Sequence, residues 1–159
     1  MNATALIIDD SPILGLQLGQ WLEGFGFTVR SISAGDCESA CRGAGHERAW
    51  PQELALIFVE LAQAQGNGFQ LLRQLQPLTR CPLVLVSGSG RSSDVEWGLQ
   101  AGAAAVLSRP LASAALAACL RQLQLLPESK QVTSEASASE SSASEDSASK
   151  SSATGEATR

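Results

Sequence analysis

Five polar residues stand where apolar runs of this chain stop. Asp9 and Asp10 follow Ala5-Leu6-Ile7-Ile8, and Glu60 closes the run 54–59. Ser87 follows the run 83–86, and Arg109, with Pro110 behind it, follows 104–107. Carboxylates are hard oxygen donors of the kind Mg²⁺ takes, with one or two often enough when water completes the shell. A hydroxyl and a guanidinium suit the oxygens of a phosphoryl group. Together these are the groups of a phosphate- or metal-handling site, with a glutamate at the place of its nucleophile.

Groups so far apart in sequence need elements to bring them together. Residues 3–8 form a continuous apolar run, the pattern of a strand buried on both faces. Pro12 suits the first turn of a helix, with Ser11 as its expected N-cap. Leu14, Leu18, Trp21, Leu22 and Phe25 share one helical face, which places Trp21 in the core. Gly24 and Gly26 end that helix. Residues 27–32 read as a second strand, and 36–45 as a short helix capped by Asp36 and stopped by Gly43 and Gly45. A loop at 46–53 leads to a strand at 54–60. A helix at 68–75 carries Phe69, Leu71, Leu72 and Leu75 on its apolar face, and a strand at 82–87 follows. Ser92 or Ser93 is the expected cap of a helix reaching Ala101, followed by a strand at 104–108 and a helix at 111–126. Strands alternate with helices, connections are short and the strands read as apolar. That pattern predicts an α/β fold: a doubly wound (βα)₅ parallel sheet with helices on both faces. Ligands bind such open sheets at the carboxyl ends of the strands. Asp9, Asp10, Glu60, Ser87 and Arg109 all fall at those ends.

The chain has 159 residues, with 44% hydrophobic side chains and a net charge of −5. Large apolar residues concentrate in 1–127, the expected folded domain. From Glu128 onward only Val132 interrupts a background of Ser, Ala, Glu and Thr. Such a segment buries too little surface to offset the entropy of ordering, so 128–159 is expected to be a disordered acidic tail, acting as a spacer or docking segment. No lysine precedes Lys130, and no basic patch offers itself to nucleic acid. No apolar run approaches the roughly 20 residues that span a bilayer. The expectation is a cytoplasmic protein without membrane or nucleic-acid partners. Its four cysteines (Cys37, Cys41, Cys81, Cys119) are expected to be free thiols. Cys37 and Cys41 share a helix face but lack companion metal ligands, and His46 is the only histidine.

Residues 3–126 resemble the receiver domain of bacterial response regulators. The likeness rests on Ile7-Ile8-Asp9-Asp10-Ser11, an acid ending the third strand, Gly68 eight residues beyond it, and Ser87-Gly88. Ala101-Gly102-Ala103 and a basic residue before Pro110 complete the set. The resemblance implies a flavodoxin-like sheet of strand order 2-1-3-4-5. It also implies an acid pair that binds Mg²⁺ and a third-strand aspartate that accepts a phosphoryl group from a histidine kinase. A hydroxyl and a lysine contact the phosphoryl oxygens. An aromatic switch lies three residues before the lysine. The face of helix four, strand five and helix five meets the partner.

Three positions depart from that pattern: Glu60 replaces the aspartate, Arg109 the lysine and Val106 the aromatic residue. As a nucleophile, Glu60 would misplace its attacking oxygen, and an error of about 1 Å can cost on the order of 100-fold. As a phosphate mimic it carries −1 against roughly −1.5 to −2 for a phosphoryl group. As an ion-pair partner it would hold Arg109, whose planar fork can bind a carboxylate through two parallel bonds. Val106 is too small and too stiff at χ1 to act as an aromatic switch. Ser87 could donate to Glu60 or to an anion, or be a helix-cap or loop hydroxyl. Asp9 and Asp10, with Glu60, could hold Mg²⁺, or could simply remain solvated and held by Arg109. Ser87-Gly88-Ser89-Gly90 lacks the P-loop spacing and reads as a flexible loop. Trp97 is either an interface aromatic or packing against the sheet.

The functional expectation is a stand-alone, atypical receiver in two-component or chemosensory signalling. It would contact a histidine kinase, chemosensory or effector protein through helix four, strand five and helix five, with Trp97 and Val106 on that face. It would be neither an enzyme nor dependent on phosphorylation. The alternatives are a Mg²⁺-dependent phosphoacceptor using Glu60 or a neighbouring acid, and a flavodoxin-like domain that binds a small anion.

Overall fold

The computed structural model describes residues 2–43, 50–51, 53–64 and 66–127. The expected tail, His46, Gly45 and most of the loop 46–53 lie outside these. Among the described residues ten elements alternate: β1 (Thr4–Ile8), α1 (Pro12–Gly24), β2 (Thr28–Ile32), α2 (Ala34–Arg42), β3 (Leu54–Glu60), α3 (Gly68–Leu75), β4 (Leu83–Ser87), α4 (Ser92–Gln100), β5 (Ala105–Ser108) and α5 (Ser113–Gln122). The strands form one parallel sheet in the order β2-β1-β3-β4-β5. Strand order and fold class are therefore as the resemblance implied.

Alternation along the strands builds two cores. Ala5, Ile7, Leu56, Phe58, Val84 and Val86 face one side and pack with Leu14, Leu18 and Leu22 of α1 and Leu116 and Leu120 of α5. Leu6, Ile8, Ile57, Val59, Leu83 and Leu85 face the other, against Leu71, Leu72 and Leu75 of α3. Strands with both faces covered need apolar residues at every position, which is why β1, β3 and β4 read as unbroken runs. β2 departs from the expected apolar pattern: Thr28, Arg30 and Ser31 are exposed, because β2 is an edge strand. Among the described residues no helix is long and apolar enough to cross a membrane. All four cysteines are free.

Several helix ends differ from expectation. Ser11 occupies the N-cap position of α1, but its side chain makes no cap bond. Asp9 does this work instead, accepting the Ser11 N–H at 2.6 Å and the Gly15 N–H at 3.1 Å. α2 starts at Ala34, not at Asp36. Ser33 is its cap and accepts the Asp36 N–H, while its hydroxyl donates to the Asp36 carboxylate. The Ser33 hydroxyl thus both accepts and donates across the first turn, and Asp36 lies inside the helix. α4 is capped by neither Ser92 nor Ser93, since Arg91 holds the cap position. α5 is shorter at both ends than 111–126. Its amino end waits for Ala112, and its carboxyl end turns at Gln124, whose φ is +60°. The Leu125 N–H then reaches back to the Leu120 carbonyl at 2.8 Å, a closure of the Schellman type. Leu125 and Leu126 fold back onto the core, so the apolar periodicity continues after the helix has ended.

Candidate functional site

The sheet sets the site's frame through hydrogen bonds that run past the strand ends. Leu61 N–H donates to the Val86 carbonyl at 2.9 Å, Arg109 N–H to the Ser87 carbonyl at 2.8 Å, and Asp9 N–H to the Ile32 carbonyl at 3.1 Å. All five polar residues predicted for the site therefore stand at one edge. Glu60 is the last residue of β3, between β1 and β4. α3 starts hard against it: a Cβ on Gly68 would lie 2.5 Å from the Glu60 carbonyl oxygen and 2.8 Å from Leu61 Cα. Both atoms are backbone, so this close approach requires glycine. The Gly68 N–H donates to the Leu61 carbonyl at 2.9 Å, which closes the β3–α3 loop.

Glu60 and Arg109 are in contact. Arg109 Nη2 donates to Glu60 Oε1, and the Glu60 side chain is only 9% exposed. The pair is joined by one bond, where the guanidinium fork had suggested two. The Glu60 carboxyl is pushed up to about 7 from its ordinary value, first by burial and then by the neighbouring Asp9, with Arg109 pulling in the other direction. Glu60 is thus a carboxyl shared between a cation on one side and an acid on the other, not a permanent anion.

The acid pair is bonded to backbone. Besides capping α1 through Asp9, the chain uses Asp10 to accept the Ala34 N–H at 3.0 Å and the Ala64 N–H at 2.9 Å. Asp10 thereby ties the start of α2 to the β3–α3 loop. Hard oxygens are the right donor type for Mg²⁺. Each of the four oxygens of the pair accepts one backbone N–H and keeps a second lone pair, so the donor set fits a Mg²⁺ whose shell is completed largely by water, while among the described residues no three acidic, histidine or cysteine side chains converge on a metal position.

Ser87 behaves as a hydroxyl of the β4–α4 turn, the last of its three readings. Its hydroxyl is fully buried and donates to Asp94 Oδ2 at 2.6 Å, not to Glu60. Ser89 donates to the same oxygen. The first turn of α4 favours negative charge, and two hydroxyl donors add to that, so Asp94 competes well for Ser87. The Ser87 and Ser89 bonds hold the Asp94 carboxyl below its ordinary range. Asp94 was missed by the sequence reading. Hydroxyls at 87 and 89 followed by an acid in a helix's first turn were the available signal. The turn 87–90, expected to be a flexible loop, is held by this cluster.

Val106 lies half-buried beneath α4. The Cβ position of Gly98 is 2.9 Å from both Val106 Cγ2 and Leu85 Cδ2, so α4 rests directly on β4 and β5. Trp97 is 52% exposed and meets Phe69 of α3 edge-on, with ring centres 6.0 Å apart. It borders an open groove of about 460 Å³ between α3 and α4 that also includes Arg73 and Gln100. Another open groove, about 430 Å³, lies beside Arg109, Pro110 and Leu111 and is edged by Ile13 of α1.

The response regulator receiver domain family matches residues 5–121. The chain belongs to that family. It is 32% identical over 143 residues to the response regulator GtcR of Aneurinibacillus migulanus, covering 86% of this chain and 56% of that protein. It is 29% identical over 119 residues to the KDP operon transcriptional regulatory protein KdpE of Escherichia coli K12, covering 73% of this chain and 48% of that one. The chain thus spans about half the length of these curated relatives. Among solved structures, a two-component response regulator from Clostridium difficile superposes with a TM-score of 0.65 at 24% identity, over 77% of this chain and 96% of the other. A CheY-like receiver domain from Methanospirillum hungatei JF-1 gives 0.63 at 20% identity, over 78% and 95%. At these identities the structures establish the shared fold. Receiver domains serve two-component signalling, generally without enzymatic activity of their own, and the family match places this chain among them in preference to an unrelated flavodoxin-like anion binder.

Proposed function

We propose that this receiver domain signals by protein–protein contact and without accepting a phosphoryl group. The observation that carries this reading is the Glu60–Arg109 contact. Phosphoryl transfer asks the protein for in-line positioning and charge stabilisation. A nucleophile must present an unoccupied oxygen to the donor, and the cation meant for the product must be available to it. Here Arg109 is spent on Glu60 itself, the carboxyl is raised toward neutral, and Ser87 is committed to Asp94. Asp9 and Asp10 are each held by two backbone N–H groups whether or not a cation is bound, so we assign those acids to structure in the first place.

The partner-binding surface in this reading is the face of α4, β5 and α5. Val95 and Leu99 stand exposed on α4, one turn apart, with Trp97 toward the α3 side. Val106 supports that helix from below and moves no ring on activation. A histidine kinase, a chemosensory protein or an effector in the cytoplasm is the class of partner this surface fits.

The test is intact mass after incubation with Mg²⁺ and a small acyl phosphate, for wild type, Glu60→Asp and Glu60→Gln. Wild type should gain no phosphoryl mass. A stoichiometric gain that disappears in Glu60→Gln would overturn the reading and establish a Mg²⁺-dependent phosphoacceptor instead.

A further inference from the structure

The carboxylate of Asp94, at the start of α4, lies buried at this same edge. It is 7% exposed, and its Oδ2 takes hydroxyls from both Ser87 and Ser89. The chain of bonds continues on either side. The Ser89 N–H donates to Ser87 Oγ at 3.2 Å, and the Arg91 N–H to Ser89 Oγ at 3.4 Å. Every turn of the segment from β4 to α4 is therefore tied, directly or at one remove, to a single carboxylate.

An acid in a first helical turn is common, and its charge alone favours the helix. Two features exceed that role. The carboxylate is buried, where a charge must be hydrogen-bonded to be tolerated. Neither of its hydroxyl donors is in the helix: Ser89 precedes it, and Ser87 belongs to β4, seven residues back in sequence, with its hydroxyl turned toward Asp94 instead of Glu60.

We propose that Asp94 is a positioning residue that acts as a built-in anion, latching Ser87 and Ser89 to the start of α4. The latch withholds the Ser87 hydroxyl from anything bound at Glu60. It also fixes the register of α4 on the sheet, where Gly98 allows contact with Leu85 and Val106. The helix that carries Val95, Trp97 and Leu99 is thereby held in one position without a ligand at the strand edge. This inference extends the proposed function but is tested separately from it.

Amide hydrogen exchange on the full chain, with no phosphodonor present, reads the latch. The Arg91 amide is the reporter because it is not bonded to Ser87. Ser87→Ala reaches it through Ser89, either by way of Asp94 or through the direct Ser87–Ser89 bonds, and the double substitution below separates the two routes. Ser87→Ala should speed Arg91 exchange about tenfold, as the loss of a hydrogen bond to a charged group would. The same substitution added to Asp94→Ala should produce no further change. If Asp94→Ala does not fold, Asp94→Asn replaces it, keeping the shape and losing the charge. An unchanged Arg91 rate in Ser87→Ala, or an equal effect of Ser87→Ala with and without Asp94, would overturn the latch and leave Asp94 as a helix-terminal charge. A phosphoryl group found on Glu60 would overturn the proposed function and leave this result standing.

Discussion

At the edge of the sheet, Asp9 and Asp10 are bonded to backbone, whereas Glu60 beside them is bonded to a side chain. The acid pair matches the family's residue types, and Glu60 and Arg109 depart from them. From residue types alone the acid pair would be taken as the surviving chemistry and Glu60 as the damage. The bonds say something different. Asp9 caps α1, and Asp10 joins α2 to the β3–α3 loop. Ser87, the third matching residue, is held by Asp94. The matching residues are thus explained by structure, and the two departures explain each other.

That contrast can be broken by mutation. The largest effect is expected for Asp10→Ala, which removes the partner of two backbone amides, one at the start of α2 and one in the β3–α3 loop. Asp10 is exposed, so water replaces part of the loss, and a destabilisation of roughly 1–2 kcal/mol in denaturant unfolding is expected. A value near zero would mean that the acid pair is free, and its retention would again need a metal to explain it. Arg109→Ala should follow at about 1 kcal/mol, because Glu60 can take up a proton once its cation is gone. A larger loss than for Asp10→Ala would reverse the ranking and make the ion pair the main support of the edge.

The smallest effect is expected for Glu60→Gln, within about 0.5 kcal/mol near neutral pH, since glutamine keeps an acceptor for Arg109 and relieves the crowding with Asp9. The pH dependence sharpens this. Glu60 holds its proton up to about 7 in the folded chain, above its ordinary value of 4.5. Between those values the folded state binds more protons than the unfolded state. The Glu60 contribution to stability is therefore full below 4.5, declines as pH rises through about 7, and is constant above. Carbon-detected titration of the Glu60 carboxyl should give a midpoint near 7, and the decline should be absent in Glu60→Gln. A midpoint near 4.5 would restore the permanent ion pair.

Much of this fold is legible in the sequence because β1, β3 and β4 are covered on both faces and leave continuous apolar runs. The polar residue ending each run then falls at the binding edge, so Asp9, Asp10, Glu60, Ser87 and Arg109 could be found together. Their partners could not. Asp10 is satisfied by the amides of Ala34 and Ala64, and every residue type has an amide, so nothing in the sequence marks those two. Element ends were misread where two signals compete. Ser33 and Asp36 are bonded to each other across the first turn, and either alone suggests a different start for α2. Leu125 and Leu126 continue the apolar spacing of α5 after Gln124 has turned the chain. Asp94 was hidden by a Ser/Gly-rich stretch whose composition suggests flexibility while its hydroxyls are bound.

The direct test of a closed strand edge is the amide spectrum of the full chain, first with millimolar Mg²⁺ and then with Mg²⁺ and an acyl phosphate. The amides of Ala34, Ala64, Ser87 and Val106 should keep their positions at both steps. Movement of Ala34 and Ala64 with Mg²⁺ alone, followed by movement of Ser87 and Val106 with the phosphodonor, would contradict a site held shut by its own side chains.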